Sequence, residues 1–323
     1  MKLESKNLTK KYDLDTLGIE DVSFAAENGI FGVAGEAGSG KRTLLGAIGG
    51  VLDISSGELL FDGVRANELP PSERDALLIR GEGEPVGGSV ERNIVYGLRL
   101  RGMRAKEAGA RAREAAELLG ITEALGMRAR SLPPALRFRV GLARLAARRA
   151  RIALLSDPYA GMTEDEKREA YAALVRVREH IGDCVAVVAT GDGSELKYCG
   201  DEAAILRGGH IVRRGRVRDI LADPRSAYVA RFTADGHVNI LTDGEKVYMA
   251  RAEDIRLTEG DRPVLRSAGG YTLLYGGEGL PPVTAAGETA RTHAGFSANA
   301  LTELPEETAL AAENALYGKY AKI

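Results

Sequence analysis

The sequence predicts an α/β protein whose mainly parallel β-sheet is followed by a smaller β-rich domain. Short apolar runs bounded by turn residues are typical of buried parallel strands, and this pattern occurs at Ile30–Ala34, Ile152–Leu155 and Cys184–Ala189. A helical pattern over Glu164–His180 separates the last two runs, and strands that alternate with helices favour a parallel sheet. After about Phe232, glycine and proline break the chain into short segments, which indicates a β-rich appendage.

The remaining elements follow in order along the chain. Residues 1–30 contain short apolar stretches that indicate strands and turns, and they lead into a glycine-rich loop. Residues 104–150 are rich in Ala, Arg, Leu and Glu, which predicts a helical region. The other predicted elements are a helix over Thr43–Leu52, a strand and turn over Leu59–Gly63, and strands over His237–Leu241, Lys246–Ala250 and Tyr271–Tyr275.

Composition narrows the class of protein. A chain of 323 residues suits one large domain and one smaller one, and 44% hydrophobic with 28% charged residues is an ordinary globular mixture. The net charge of −2 argues against broad nucleic-acid binding, which normally shows a basic excess. Two arginine-rich groups are interpreted as solvated helix faces because glutamates are interspersed among them. These groups are Arg99, Arg101, Arg104, Arg111 and Arg113, and then Arg144, Arg148, Arg149 and Arg151.

The cysteine spacing argues against a metal or redox site, and the lengths of the apolar runs argue against a membrane-spanning segment. Cys184 and Cys199 have no metal-ligand or CxxC spacing, so we expect two reduced thiols. No apolar run reaches the roughly 18–20 residues that span a bilayer. The segment after Met1 has no apolar signal-peptide core. If the protein acts at a membrane, we expect another subunit to span it.

The strongest motif is a phosphate-binding loop at Gly35–Lys41, placed directly after a predicted strand and before a predicted helix. Gly35, Gly38 and Gly40 let backbone N–H groups curl around phosphate oxygens, and Ser39 lies among them. The helix N-terminus adds partial positive charge, and Lys41 is placed to reach the β and γ phosphates. The strand-loop-helix context makes this motif more specific than a lone glycine-rich loop.

One position of this motif departs from the usual pattern. The residue after the lysine is normally Ser or Thr, whose hydroxyl binds Mg²⁺, but here it is Arg42. Thr43 follows, and one helical step is about 100°, so we expect its hydroxyl to point elsewhere. ATP binding is therefore predicted with Mg²⁺ in doubt, and no residue is assigned as a metal ligand.

At these residues the chain resembles the ATPase subunit of an ABC transporter. The resemblance covers residues 3–232 and is carried by Asn28–Gly35, the loop, Ser56–Gly63, Ser89–Leu98, Arg139–Arg144 and Ser156–Pro158. It implies a P-loop NTPase-type, mainly parallel sheet in a nucleotide-binding domain over 1–232, with a helical subdomain at about 81–150. Residues 246–257 resemble the start of the OB-like appendage of sugar-type importer subunits, which implies a small β-rich regulatory domain over 233–323.

The resemblance assigns a family role to each motif position. Tyr12 takes the place of the aromatic residue that stacks on adenine, although a tyrosine at a strand end is the alternative. Arg80 takes the place of the Q-loop glutamine. Leu132–Leu136 stands where the family signature binds the γ-phosphate of the ATP held by the opposite subunit. Pro133 has replaced the signature serine, and prolines have no N–H to donate.

The hydrolytic positions also differ from the family pattern. Ser156 stands where an aspartate holds the Mg²⁺ shell, and Asp157 stands where the catalytic glutamate polarises water. Asp157 keeps a carboxylate that is one methylene shorter, and an offset of roughly 1 Å can cost about a hundredfold in rate. Thr163 replaces the dimer-contact aspartate, and Gly191 replaces the switch histidine. The resemblance thus implies an ATP-binding scaffold with hydrolysis lost or very weak.

Arg42 leaves three hypotheses open. Its guanidinium could contact phosphate oxygens and replace part of the Mg²⁺ charge, because arginine binds phosphate in a bidentate manner. It could instead pair with Asp157 and close an empty site. It could also extend away into solvent.

Because ABC ATPases pair head to tail, two copies of this chain would form two poor sites. The favoured hypothesis is therefore a pseudo-ATPase that pairs as a heterodimer with an active ATPase subunit, bound peripherally to transmembrane permease subunits on the cytoplasmic face of the membrane. One alternative is a weakly active ATPase that uses Asp157. Another is a soluble nucleotide-sensing scaffold without a transporter.

Overall fold

A computed structural model describes residues 1–13, 16–81, 87–234, 238–243, 246–251, 255–268, 271–274, 283–286, 293–298 and 302–303. The chain forms two compact units, Met1–Val217 and Arg218–Ile323. In the described part of the chain, no helix is both long enough and apolar enough to cross a membrane.

The first unit is built on a six-stranded, mainly parallel sheet. The strands lie in the order β10-β9-β3-β8-β7-β6, and only β10 runs antiparallel to its neighbour. Every residue of β7 and β8 is buried, which explains their continuous apolar sequences. The predicted parallel sheet is confirmed. Its strands are β3 (Ile30–Ala34), β6 (Ala76–Arg80), β7 (Ile152–Ser156), β8 (Val185–Thr190), β9 (Glu202–Arg207) and β10 (His210–Arg216).

A second, antiparallel sheet belongs to the same unit. Its strands lie in the order β2-β1-β4-β5, and β1 forms the long central ladder with β2 and β4. Phe24 of this sheet stacks on Phe31 of the parallel sheet, with ring centroids 4.7 Å apart. The strands are β1 (Lys2–Lys11), β2 (Leu17–Glu27), β4 (Ser56–Phe61) and β5 (Val64–Arg65).

Helices account for the alanine- and arginine-rich region. Alanines of α3 and α4 are buried in one core cluster together with Phe138 and Tyr159. Small side chains let these helices approach closely, so the helical prediction for 104–150 is confirmed as two helices joined by short 3₁₀ turns. The helices of this unit are α1 (Lys41–Gly49), α2 (Val90–Leu100), α3 (Ala105–Leu118), α4 (Pro134–Arg148) and α5 (Glu164–Ile181).

Helix α1 differs from its predicted extent of Thr43–Leu52. It begins two residues earlier, at Lys41, and ends at Gly49. Gly50 follows with a left-handed backbone (φ 74°) and donates its N–H to the carbonyl of Ala47. Glycine adopts this conformation without a steric penalty, so the helix ends there although Val51 and Leu52 continue the apolar pattern.

Helix α5 begins with a capping box. The Thr163 N–H donates to Glu166 Oε2 (2.8 Å), and the Glu166 N–H donates to Thr163 Oγ1 (3.4 Å). We expect Thr163→Ala to lower the free energy of unfolding by about 1 kcal/mol, because the Glu166 N–H loses its acceptor Thr163 Oγ1. Chemical denaturation measures this, and Thr163→Ser is the matched control because it keeps the hydroxyl. Equal stability of the Ala and Ser variants would contradict the prediction.

The described residues of the second unit form two short helices and strands in two sheets. The first sheet has the order β11-β12-β17 and the second has the order β14-β15-β13-β16. The predicted β-rich character is therefore confirmed, while OB-like topology and the boundary after 232 stay predictions. His237 and Tyr275, the outer ends of two predicted strands, lie outside the described residues. The elements are α6 (Val217–Ala222), α7 (Ala227–Phe232), β11 (Val238–Asp243), β12 (Lys246–Arg251), β13 (Ile255–Ala268), β14 (Tyr271–Leu274), β15 (Val283–Ala286), β16 (His293–Ala298) and β17 (Thr302–Glu303).

Candidate functional site

The glycine-rich loop lies between the end of β3 and the start of α1. The Gly35 N–H donates to the carbonyl of Thr190 at 3.3 Å, which ties the loop to the neighbouring strand β8. A Cβ at Gly35 would lie 2.3 Å from the Leu206 carbonyl oxygen, so only glycine fits there. Gly38 has φ +80° and faces open space, which leaves the concave side of the loop accessible to a ligand.

Lys41 is the first residue of α1, and its side chain turns back into this loop. It is 7% exposed, and its ammonium donates to the carbonyls of Gly35 (2.5 Å) and Glu36 (2.9 Å). Burial is the main cause that lowers the pKa of Lys41. The negative Asp157 opposes this lowering, and the neighbouring Arg42 adds to it. A buried ammonium at the centre of a loop rich in N–H groups favours an anionic ligand.

The loop forms one wall of an open cleft of about 490 Å³. Seven of the eight residues predicted to bind nucleotide line it, and Gly35 is the exception. The sequence prediction missed Leu17, Gly18 and Ala37. The first two belong to β2, and no local motif marks a strand that reaches the loop from another sheet. The predicted residues that line the cleft are Tyr12, Gly38, Ser39, Gly40, Lys41, Arg42 and Thr43.

Tyr12 follows the last residue of β1 and lies half-exposed against the cleft. Its hydroxyl is hydrogen-bonded to Thr43 Oγ1 at 3.0 Å, and the ammonium of Lys10 lies 5.6 Å from the ring centroid. A Cβ at Gly18 would come within 2.9 Å of the Tyr12 ring, so the glycine makes room for it. Thr43 therefore directs its hydroxyl to this tyrosine.

Asp157 lies where the strands β7 and β8 end, with a left-handed backbone (φ 50°). Its Oδ1 accepts the Gly191 N–H at 3.1 Å, and its Oδ2 accepts the Ser156 hydroxyl at 3.2 Å. The guanidinium of Arg42 lies 3.6 Å from the same Oδ2. Arg42 therefore pairs with Asp157 while its side chain stays 85% exposed and the cleft stays open, so the structure combines features of the pairing and the solvent hypotheses.

A second cleft of about 540 Å³ adjoins this carboxylate and is lined by both Arg42 and Arg80. Arg80 ends β6 and is exposed, so the described lining of this cleft has two guanidinium groups and one carboxylate. Among the described residues, no group of three or more His, Cys, Asp or Glu side chains is placed to hold a metal ion. The ammonium of Lys41 and the two guanidinium groups favour an anionic ligand in these clefts.

The segment after β8 is held by a buried polar cluster. The Thr190 hydroxyl donates to Glu195 Oε2 at 2.5 Å, and Lys167 Nζ pairs with Glu195 Oε1 at 2.7 Å. This cluster fixes Gly191 beside Asp157, and Gly191 offers the cleft only its backbone. On α4, the helix begins at Pro134 with Pro133 as its N-cap residue, and no side chain caps it.

Comparisons with known proteins agree with this geometry. The family model described as ABC transporter matches residues 19–160. The chain is 30% identical over 257 residues to the molybdate/tungstate import ATP-binding protein WtpC of Pyrococcus horikoshii, covering 79% of this chain and 73% of that protein. This chain belongs to the ABC transporter family. A further relative in the ABC family is the oligosaccharides import ATP-binding protein MsmX of Bacillus subtilis, 26% identical with 85% and 76% of the two chains covered.

Solved structures of ABC proteins share the fold. A nucleotide-free ATP-binding cassette from an ABC transporter has a TM-score of 0.62 at 17% identity, covering 71% of this chain and 98% of that chain. The cbiO1 protein of Clostridium perfringens, part of the ABC transporter complex cbiONQ, also has a TM-score of 0.62, at 20% identity, covering 71% and 92%. The shared fold places the ends of β3, β7 and β8 around one cleft.

Proposed function

We propose that this chain is a catalytically degenerate ATP-binding subunit of an ABC importer. It binds ATP at the loop Gly35–Lys41, pairs with an active ATPase subunit, and couples to transmembrane permease subunits at the cytoplasmic face. The arrangement around Asp157 carries this proposal, since its carboxylate is hydrogen-bonded to Ser156 and Gly191 and lies 3.6 Å from the Arg42 guanidinium.

Binding and hydrolysis make different demands on the cleft. ATP binding requires the glycine cradle, the buried ammonium of Lys41 and a platform for the base, and these groups line one cleft. When bound, ATP supplies the transferable γ-phosphoryl group. Hydrolysis also requires a placed water and stabilisation of the charge that develops during transfer. Gly191 has no side chain to contribute, and Arg80 has no carboxamide to orient water.

The heterodimer follows from the loop that precedes α4. In the family, this loop completes the site on the opposite subunit, but here it has Pro133 at the N-cap and Pro134 at the first helical position. Proline has no N–H, so the loop offers fewer donors to a phosphate. The site that uses the partner's phosphate loop keeps the partner's own catalytic groups, and we assign turnover to that site.

A groove on the helical part of the first unit supports coupling to permeases. It has a volume of about 420 Å³, and the apolar side chains of Tyr96 and Leu100 are exposed at its edge. Arg101 and Arg148 also line it. Exposed apolar side chains that surround a groove are typical of protein–protein contact surfaces. The relatives named above are import ATP-binding proteins, which favours the importer assignment.

A steady-state phosphate-release assay on the purified full-length chain tests the loss of hydrolysis. Removal of a single group that stabilises developing charge costs about a hundredfold to a thousandfold in rate. Several groups differ here, so we expect no release above the protein-free blank with ATP and Mg²⁺. Turnover that disappears in Asp157→Asn would contradict the proposal and favour a weakly active ATPase.

Affinity purification of the tagged chain from its own cells tests the partners. We expect a second ABC ATPase subunit in equal amount, together with membrane-spanning subunits. A strict homodimer with permeases would contradict the heterodimer, and the chain alone would favour a scaffold without a transporter.

A further inference from the structure

The ABC fold implies a Mg²⁺ ion beside the bound nucleotide, and the residues of this cleft do not fit that ion. Magnesium requires oxygen ligands in near-octahedral geometry. Here Arg42 occupies the position of the hydroxyl that follows the lysine, and Ser156 occupies the position of the acid at the end of β7. Within the described part of the chain, Asp157 is the one carboxylate in the lining of the two clefts, and Arg42 Nη2 lies 3.6 Å from it.

The charges around the clefts are those of a site for a bare polyphosphate. Among the described residues that line the clefts, Lys41, Arg42 and Arg80 bring three positive charges and Asp157 brings one negative charge. An ATP–Mg²⁺ complex would bring a divalent cation close to the Arg42 guanidinium, and the two positive charges would repel each other. Free ATP would bring only negative charge to the same positions.

We propose that this cleft binds nucleoside triphosphate as a metal-free anion, with Arg42 as the counter-charge for the β and γ phosphates. This rests on the proposed function, because it concerns the same ATP site. Guanidinium binds phosphate through paired N–H donors, which is a stronger arrangement than a neutral hydrogen bond.

The exposure of Arg42 makes this exchange of partners feasible. Its side chain is 85% exposed, and the contact with Asp157 is a long ion pair without a hydrogen bond. Exposed ion pairs contribute little to stability, so the guanidinium can leave Asp157 for a phosphate at small cost. Asp157 then acts as a resting partner, and its carboxylate competes with the ligand for Arg42.

Titration calorimetry of the full-length chain with ATP, in EDTA or in excess Mg²⁺, tests the proposal. We expect the wild-type chain to bind ATP at least about tenfold more tightly in EDTA than in excess Mg²⁺. The reason is that charge-assisted hydrogen bonds from Arg42 to the phosphates are lost when Mg²⁺ occupies the phosphates. A requirement for Mg²⁺, or equal affinity in both solutions, would overturn the proposal. If the chain bound ATP neither in EDTA nor in Mg²⁺, the proposal would also be overturned.

Variants separate Arg42 from the rest of the loop. Arg42→Thr should weaken binding in EDTA by about tenfold to a hundredfold. The double variant Arg42→Thr/Ser156→Asp should bind more tightly with Mg²⁺ than with EDTA, since it regains a hydroxyl and an acid. Arg113→Ala is the control, because Arg113 is exposed on α3 and lines neither cleft. Unchanged EDTA binding in Arg42→Thr would overturn the proposal.

A third variant tests the role of Asp157. Asp157→Asn keeps a side chain that tolerates the left-handed backbone, and it removes the negative charge. It should tighten ATP binding in EDTA by a few fold, whereas weaker ATP binding would contradict the resting-partner role.

The phosphate-release assay separates failure of the proposed function from failure of the metal-free inference. Rapid turnover would end the proposed function, whereas a Mg²⁺ requirement without turnover would end only the metal-free inference.

Discussion

Lys41→Met should weaken ATP binding by about a hundredfold or more, the largest functional effect expected from a single substitution in this chain. The ammonium lies inside the glycine-rich loop, where it donates to the carbonyls of Gly35 and Glu36. In the presence of ATP we expect it to donate to phosphate oxygens instead. Two charge-assisted hydrogen bonds of about 1.5–3 kcal/mol each give at least this loss of affinity.

The measurement is titration calorimetry with ATP in EDTA, and its control is Lys106→Met. Lys106 is exposed on α3 and does not line the cleft, so its affinity should equal that of wild type. Thermal unfolding of Lys41→Met checks the fold, because the carbonyls of Gly35 and Glu36 lose a donor in this variant. Binding within threefold of wild type would refute the role of the ammonium.

The loop and the parallel strands could be predicted because their physical requirements are local. Strands β7 and β8 are buried on both faces, so their sequences are continuous apolar runs between turn residues. Gly35, Gly38 and Gly40 all have positive φ, and the glycine spacing before Lys41 predicts this backbone.

The contacts of Arg42 and Asp157 could not be predicted, because they depend on how separate elements meet. The sequence left three alternatives for the Arg42 guanidinium, namely contact with phosphate, pairing with Asp157 and extension into solvent. Its distance from Asp157 depends on where β7 ends relative to α1. Likewise, Tyr12 contacts Thr43 because β1 and β2 carry it to the start of the helix. Gly18 makes room for that ring, yet an isolated glycine in a strand carries no sequence signal for a ligand site.

The residue at which α1 ends also could not be predicted from the sequence. Apolar periodicity continues through Val51 and Leu52, and it predicts a longer helix than the one observed. The helix ends early because Gly50 adopts a left-handed backbone and because an arginine from another segment binds the last carbonyls. Because that arginine is distant in sequence, the residues around Gly50 give no sequence signal of this contact.

Arg74 is this arginine, and Arg74→Met should lower the free energy of unfolding by about 3–5 kcal/mol. Its side chain is 3% exposed. It donates to the carbonyls of Ala47 (2.5 Å) and Ile48 (3.0 Å) on α1, and to those of Leu69 (2.7 Å) and Asn67 (2.9 Å). Burial lowers the pKa of Arg74, but arginine titrates far above neutral pH and keeps its charge.

The size of the effect follows from what methionine leaves behind. It fills a similar volume but offers no donor, so the carbonyls at the end of α1 and in the 67–69 turn lose their partners. The positive charge at the negative end of the helix dipole is lost as well. Against a typical total stability of about 5–15 kcal/mol, this loss should be visible as a much lower denaturant midpoint.

Two further variants make the measurement specific. Arg65→Met removes an arginine that is 53% exposed and paired only with exposed glutamates, so it should change stability by less than about 0.5 kcal/mol. Arg74→Lys keeps the charge but cannot reach four carbonyls with one ammonium, so its stability should lie between those of Arg74→Met and wild type. If Arg74→Met were as stable as Arg65→Met, the hydrogen bonds to α1 would not be what anchors this helix. Since Lys41 begins the same helix, the position of the ammonium at the phosphate loop depends on that anchor at its other end.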